Sequence, residues 1–359
     1  MKKILLIVFA LMALLVASAG AAAYWVASSV NMQTEHSHAA EYIKIDKGST
    51  PRQIINQLSA AGIIADPTAA SIYLRFAGDS SKLQAGEFQF PSPISAAQVF
   101  KLLEKGQEQT IKLTIPEGFT RFDIAKRMLE KLPHDNSLNE SALIDLMNDT
   151  SMIKDIAPTA SNLEGYLYPT TYNVPRDAKP QEVVKMMVEQ FRKFWKPEWA
   201  ARAASMNRTP HQIVTIASLI ETETGVESER PIVAGVINNR LVRNIPLGID
   251  QTNVYIAKML GRWDGVINKS DLEVDSPYNT RIKVGLPPGP ISSVTESSIK
   301  AALNPDVNNY LFYVRNVDLN DGSHWFYSSA ADFEKGKVKY QLWLERQRKE
   351  MRANQANTQ

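Results

Sequence analysis

No cysteine occurs anywhere in the 359 residues. That excludes disulfides, thiolate metal sites and a cysteine nucleophile, and it leaves a cytoplasmic and an extracytoplasmic compartment equally open. Histidine is scarce, with five in all. His36 and His38 share a polar tract, while His134, His211 and His324 stand far apart. No H-E-x-x-H or comparable spacing exists, so neither a catalytic metal nor a cofactor is expected. Charge of one sign is lacking too. The formal net charge is only +2, which gives no electrostatic ground for binding nucleic acid. What the chain does have is 44% hydrophobic residues, enough core for two or three domains at this length.

Charge is absent from the first long run as well. Lys2 and Lys3 precede an uncharged stretch from Ile4 to Val30, and the first acidic residue is Glu35. A cleaved signal peptide would use a site such as Ala19-Gly20-Ala21. An uncleaved anchor would need about 20 apolar residues, with Tyr24 and Trp25 in the outer interface and the lysines held inside. Length and the aromatic pair favour the anchor. Either way the rest of the chain is exported, and the polar stretch Asn31 to Ala40 reads as a linker.

Beyond it, Tyr42-Ile43-Lys44-Ile45-Asp46-Lys47-Gly48-Ser49-Thr50 is echoed by Lys112-Leu113-Thr114-Ile115-Pro116-Glu117-Gly118-Phe119-Thr120. Ile54 and Leu58 match Ile124 and Met128. Each copy predicts an alternating strand, a glycine turn and an amphipathic helix. The stretch Ile115 to Met128 resembles half of a LysM module, and that likeness implies contact with N-acetylglucosamine-containing glycans. A generic strand–turn–helix unit explains the same pattern. Between the copies the sequence predicts helices over 67–77 and 94–104 and a strand over 86–90, with Asp66 and Gly106 at helix ends. Asn162 to Tyr172 brings together Glu164, Tyr166, Tyr168 and Tyr172, which would suit a sugar-binding wall or a buried aromatic loop. A long polar helix over 180–195 follows.

Two carboxylates mark the next region. Thr209-Pro210-His211-Gln212 reads as a capped helix start, and Ile213, Ile216, Ala217 and Ile220 form one apolar stripe. The helix ends in Glu221-Thr222-Glu223-Thr224-Gly225. At ~100° per residue the two glutamates lie about 200° apart, so at most one faces a given cleft. A carboxyl near the negative helix end, with Glu227 and Glu229 adding like charge, suits an acid that keeps its proton near neutral pH. Solvated helix-end charges are the ordinary alternative, and this geometry leaves the choice between the two open. Downstream come a buried helix carrying Asn239 and Arg240, then Asp250, a second carboxylate or a helix-start residue, before a helix ending near Gly261. Stiff loops follow at Pro277-Tyr278-Asn279-Thr280 and Gly285 to Pro290. Ser293-Val294-Thr295-Glu296 reads as a capping box, Tyr310 to Arg315 and His324 to Tyr327 as a β-hairpin, and the chain closes on a charged amphipathic helix.

The motifs Leu163-Glu164-Gly165-Tyr166-Leu167-Tyr168-Pro169-x-Thr171-Tyr172, Ile216-Ala217-Ser218-x-Ile220-Glu221-x-Glu223-Thr224, Asn239-Arg240-Leu241, Asp250-x-Thr252, Tyr278-Asn279-Thr280, Gly285-Leu286-Pro287-Pro288-Gly289 and His324-x-Phe326 together resemble the YceG-like endolytic murein transglycosylases. The likeness covers nearly the whole chain. Many members carry Gln-x-Asp-Pro-Thr where this chain has Gly248-Ile249-Asp250-Gln251-Thr252, so no role passes to Gly248 or Gln251.

The resemblance implies an α+β architecture: an anchor (1–30), a linker (31–40), a small LysM-like domain (41–110), a larger catalytic domain (111–345) and a charged tail (346–359). It implies Glu221 as the catalytic acid, protonating the bond between N-acetylmuramic acid and N-acetylglucosamine and then drawing the proton from the muramoyl C6 hydroxyl, with a 1,6-anhydro ring as product. Glu164, Asp250, Tyr278 and Asn279 are the expected sugar-binding residues. Peptidoglycan, the cytoplasmic membrane and the penicillin-binding wall synthases are the partners it implies, with glycan strand length limited at the outer face of that membrane. A hydrolytic muramidase using Glu221 and Asp250, and a non-catalytic membrane-tethered glycan-binding scaffold, are the rival readings.

Overall fold

The computed structural model of the chain describes residues 2–106, 110–133, 138–176 and 178–356. His134 and the ends of the expected domains at 107–109 and 357–359 lie outside them. The chain divides into two compact units, Met1–Thr110 and Ile111–Gln359. The architecture is mixed α+β behind one apolar N-terminal helix.

In the first unit, α1 (Lys2–Asn31) contains a 26-residue segment, Leu6–Asn31, of mean hydropathy 2.5, long and apolar enough to cross a membrane. A signal sequence has the same properties. The helix then runs on into the unit: Val30 is 1% exposed in its core, with Val26 packed alongside. Next come β1 (Ile43–Ile45), α2 (Pro51–Ala60), α3 (Pro67–Phe76), β2 (Gly86–Phe88) and α4 (Ala96–Lys105), with β1 and β2 antiparallel. Thr50 and Gln53 close a capping box on α2, and Asp66 caps α3, so local polar groups satisfy helix ends that would otherwise be bare. Residues 31–40, expected as a linker, are hydrogen-bonded to the unit. Thr34 and Ile94 exchange backbone bonds at 2.9 and 3.0 Å, and the Ser92 hydroxyl accepts from the His36 N–H at 2.9 Å.

The second unit repeats the opening pattern, as the internal echo predicts. β3 (Thr110–Thr114), a turn through Gly118 at φ +73°, and α5 (Arg121–Lys131), capped by Thr120 and Asp123, are followed by α6 (Glu140–Leu146) and β4 (Thr171–Pro175), which pairs with β3. Then come α7 (Pro180–Phe194), α8 (Pro197–Ser205), α9 (Pro210–Glu223), α10 (Arg230–Val242), α11 (Asp250–Met259), α12 (Lys269–Leu272), α13 (Glu296–Leu303), the antiparallel hairpin β5 (Phe312–Arg315) and β6 (His324–Tyr327), and α14 (Ala330–Ala356). The tyrosine-rich loop is largely core: Tyr166 and Tyr172 are buried, and Tyr168 stacks on Phe194 with ring centres 4.2 Å apart.

Candidate active site

The α9 helix starts as its sequence dictates. The Thr209 hydroxyl accepts from the Gln212 N–H at 3.2 Å, the Gln212 side chain accepts from the Thr209 N–H at 3.0 Å, and Pro210 takes the first turn. Its middle is not half-buried, as one apolar stripe would predict. Every residue from Ile213 to Glu221 is buried, so α9 is the central helix of the unit and its polar residues need partners. The Thr215 hydroxyl donates to the His211 carbonyl at 2.8 Å, and Ser218 accepts from the Ile291 N–H at 3.0 Å. His211 lies 2.8 Å from the Tyr166 hydroxyl and 3.1 Å from the Pro288 carbonyl. These contacts lay the proline-rich loop along α9 from Pro288 to Thr295.

At the end of the helix the two glutamates part company. Glu221 points toward the start of α13, and its side chain is 1% exposed. One oxygen accepts from Arg230 Nη2 at 2.9 Å; the other accepts from the Thr295 N–H at 2.8 Å and its hydroxyl at 2.7 Å. Arg230 also donates to the Thr295 hydroxyl at 2.7 Å, and Glu117, mostly exposed, lies 3.7 Å from the guanidinium. The helix cap expected at Ser293 sits two residues later, on Thr295. The Ser293 N–H is taken by the Phe119 carbonyl at 2.7 Å, which holds that residue out of the helix.

Glu223 faces the other way. It is part-buried and accepts a hydrogen bond from the Tyr313 hydroxyl of β5. Burial pushes its carboxyl up to about 7, and the charge of Asp250 pushes in the same direction. The Tyr313 bond and the Arg240 guanidinium oppose both. Like-charge repulsion therefore reaches this carboxyl from Asp250, not from the neighbours in sequence. Glu229 instead accepts from the His324 N–H at 2.7 Å, lies 2.8 Å from its ring Nδ1, and accepts from the Thr224 hydroxyl at 3.1 Å.

The model of the YceG-like family matches residues 43–339. The chain belongs to that family. The endolytic murein transglycosylase of Bacillus subtilis (strain 168) is 30% identical over 314 residues, covering 83% of this chain and 84% of that protein. The enzyme of the same name from Streptococcus pneumoniae (strain D39) is 29% identical over 321 residues, covering 82% of this chain and 57% of that longer protein. A crystal structure of a YceG-like protein from Listeria monocytogenes aligns with a TM-score of 0.54 at 30% identity, covering 82% of this chain and 98% of that one.

The remaining expected residues of this YceG-like chain lie on α11 and in loops of the same unit. Asp250, the first residue of α11, is exposed and pairs with Arg281. It reaches Glu223 through its charge. Tyr278 packs its ring 5.0 Å from that of Tyr255. Glu164 is 1% exposed, and both its oxygens lie 3.1 Å from the Arg121 N–H at the start of α5. Burial pushes its carboxyl up to about 8, against the Arg121 N–H and charge. Asn279 is fully buried, and its amide donates to the Leu272 and Val274 carbonyls at 3.0 and 2.9 Å while its oxygen accepts from the Arg281 N–H. Both side chains hold the fold's own backbone. Among the described residues no group of His, Asp and Glu could hold a metal ion.

Two family motifs turn out to brace one another. Thr252 and Thr280 face across 3.1 Å, and the Ile249 N–H donates to the Thr280 hydroxyl at 2.9 Å. Asn239 donates to the Asn308 and Tyr310 carbonyls, each at 2.9 Å, and Arg240 to the Leu311 and Leu247 carbonyls, each at 2.6 Å, anchoring the last hairpin to α10. Sequence reasoning missed Arg230 and Tyr313. Neither lies in a motif with a chemical signature.

Proposed function

We propose that this chain is an endolytic murein transglycosylase, a carbon–oxygen lyase that cuts the bond between N-acetylmuramic acid and N-acetylglucosamine without water. Family membership and the names of its relatives support that reaction class. The resemblance points to Glu221 as the acid, but the surroundings of the two carboxyls favour Glu223. An acid must reach a glycosidic oxygen and carry a proton near working pH. Glu221 is enclosed by Arg230 and Thr295, whereas Glu223 is part-buried and held near 7. That difference carries the reading, with Glu221 as the group that fixes the end of α9 to α13.

The steps balance on one group. The Glu223 acid gives its proton to the bridging oxygen as the bond from the muramoyl C1 breaks, releasing the N-acetylglucosamine 4-hydroxyl. The carboxylate then takes the proton of the muramoyl C6 hydroxyl, whose oxygen closes on C1 to give the 1,6-anhydro ring. The acid is regenerated, and no second carboxylate has to activate water, unlike the paired carboxylates of ordinary glycosidases. Asp250 serves here by its charge, and Tyr278 as a wall for the sugar. We assign residues 111–345 to catalysis and 41–110 to a LysM-like glycan contact, the latter supported by the strand–helix–helix–strand order of β1, α2, α3 and β2. Anchored by α1 in the cytoplasmic membrane, the enzyme would trim strands as the penicillin-binding wall synthases make them.

Mass spectrometry of digests of purified glycan strands tests this. Glu223→Gln should lose at least about a hundredfold of anhydro-muropeptide release, in the range of general acid catalysis. Normal release by that variant would refute the assignment. Reducing ends in place of anhydro ends would support the muramidase, and no cleavage by the wild-type chain would support the scaffold.

A further inference from the structure

The last hairpin brings a phenol to the acid. Tyr313, in the middle of β5, donates its hydroxyl hydrogen bond to Glu223 across 90 residues of sequence. The strand has little freedom to move it. Arg240 holds the Leu311 carbonyl at 2.6 Å on one side of Tyr313, and on the other Glu229 grips the backbone and ring of His324, whose ring meets that of Tyr313 edge-on at 5.5 Å. The β5–β6 register sets Tyr313 opposite Phe326 and Arg315 opposite His324, so the grip on β6 is passed to β5 through the ladder. Among the described residues, Tyr313 from β5, Arg240 from α10 and Asp250 from α11 are the groups that act on the Glu223 carboxyl.

We propose that Tyr313 is a positioning residue for the reaction. Its hydroxyl fixes the Glu223 carboxyl in one orientation and sets the pH at which that group changes from acid to base. The inference rests on the reading of Glu223 as the proton carrier. A phenol that donates to the carboxylate stabilises the charged form, so its loss raises the pH at which the group gives up its proton. Glu229 and His324 act one step further out, by holding the hairpin that carries the phenol.

The test uses the full-length protein in detergent, with Tyr313→Phe, Glu223→Gln and wild type compared on glycan strands across the neutral pH range. Tyr313→Phe keeps the ring and should move the alkaline limb of kcat/KM upward by about one pH unit, while the melting temperature changes little. An unchanged limb, or one moved downward, overturns the proposal. Should Tyr313→Phe be inactive, infrared difference spectroscopy of the carboxyl band that Glu223→Gln abolishes decides: its midpoint rises if Tyr313 governs the group and stays put if it does not. If Glu223→Gln itself cuts at the normal rate, the reading of Glu223 fails, whereas the carboxyl titration still reports on Tyr313.

Discussion

Replacing Arg230 by Met leaves the Glu221 side chain buried with no cation against it. The wild-type pair is 2.9 Å apart, with side-chain exposures of 8% and 1%. Taking the charge centres as about 4 Å apart and an effective dielectric of about 20, the attraction is about 4 kcal/mol. Breaking a buried pair from one side is destabilising by about 3–5 kcal/mol. The Thr295 N–H and hydroxyl still reach the carboxylate, so the lower half of that range is expected. Hydrogen-exchange protection of the α9 amides reports it locally, and the melting temperature of this unit should fall by on the order of 10 °C. Adding Glu221→Gln removes the stranded charge and should restore part of the loss, giving a coupling above about 2 kcal/mol in a double-mutant cycle. A coupling below about 0.5 kcal/mol would show that the pair is not the lock described here.

Glu164→Gln should flatten the pH dependence of stability. The native carboxyl titrates near 8 against an ordinary 4.5, so its contribution is fully present below about 4.5 and lost as pH rises through 8; the wild-type protein should lose up to about 5 kcal/mol over that span and the variant should not. Urea titrations at a series of pH values read this directly. Gly165→Ala places a Cβ 2.6 Å from Pro290 at a φ of +82°, and a loss of at least about 2 kcal/mol in chemical denaturation is expected. Asp250→Asn removes a charge that raises the Glu223 carboxyl. Its exposed pairing with Arg281 screens that charge, so the alkaline limb of activity should move down by only a few tenths of a pH unit; abolished activity would instead favour the muramidase.

Much of the fold was legible because its signals are local. The Thr209 cap and the 3.6-residue period that sets Glu221 and Glu223 on opposite flanks each lie within a few residues of what they control. The partners of the two glutamates do not. Thr295 meets Glu221 across 74 residues and Tyr313 meets Glu223 across 90, so spacing could separate the carboxyls without saying which one would be locked. The same limit explains the cap displaced from Ser293 and the expectation for Glu229, whose partner His324 lies 95 residues on. Glu164 and Asn279 were expected to bind sugar, and their loops gave no local sign of the backbone contacts that their side chains make. Nothing local announced that a buried backbone N–H or carbonyl needed them.

A 30-residue helix is about 45 Å long, while a bilayer's hydrocarbon takes up about 30 Å. With α1 across it, the last turns emerge already embedded, through Val26 and Val30, in the folded body of the first unit. A tether of that kind behaves as a stem rather than a leash. Were α1 retained in a bilayer, it would let the first unit spin about the normal but fix its height, confining this unit to a thin layer next to the lipid.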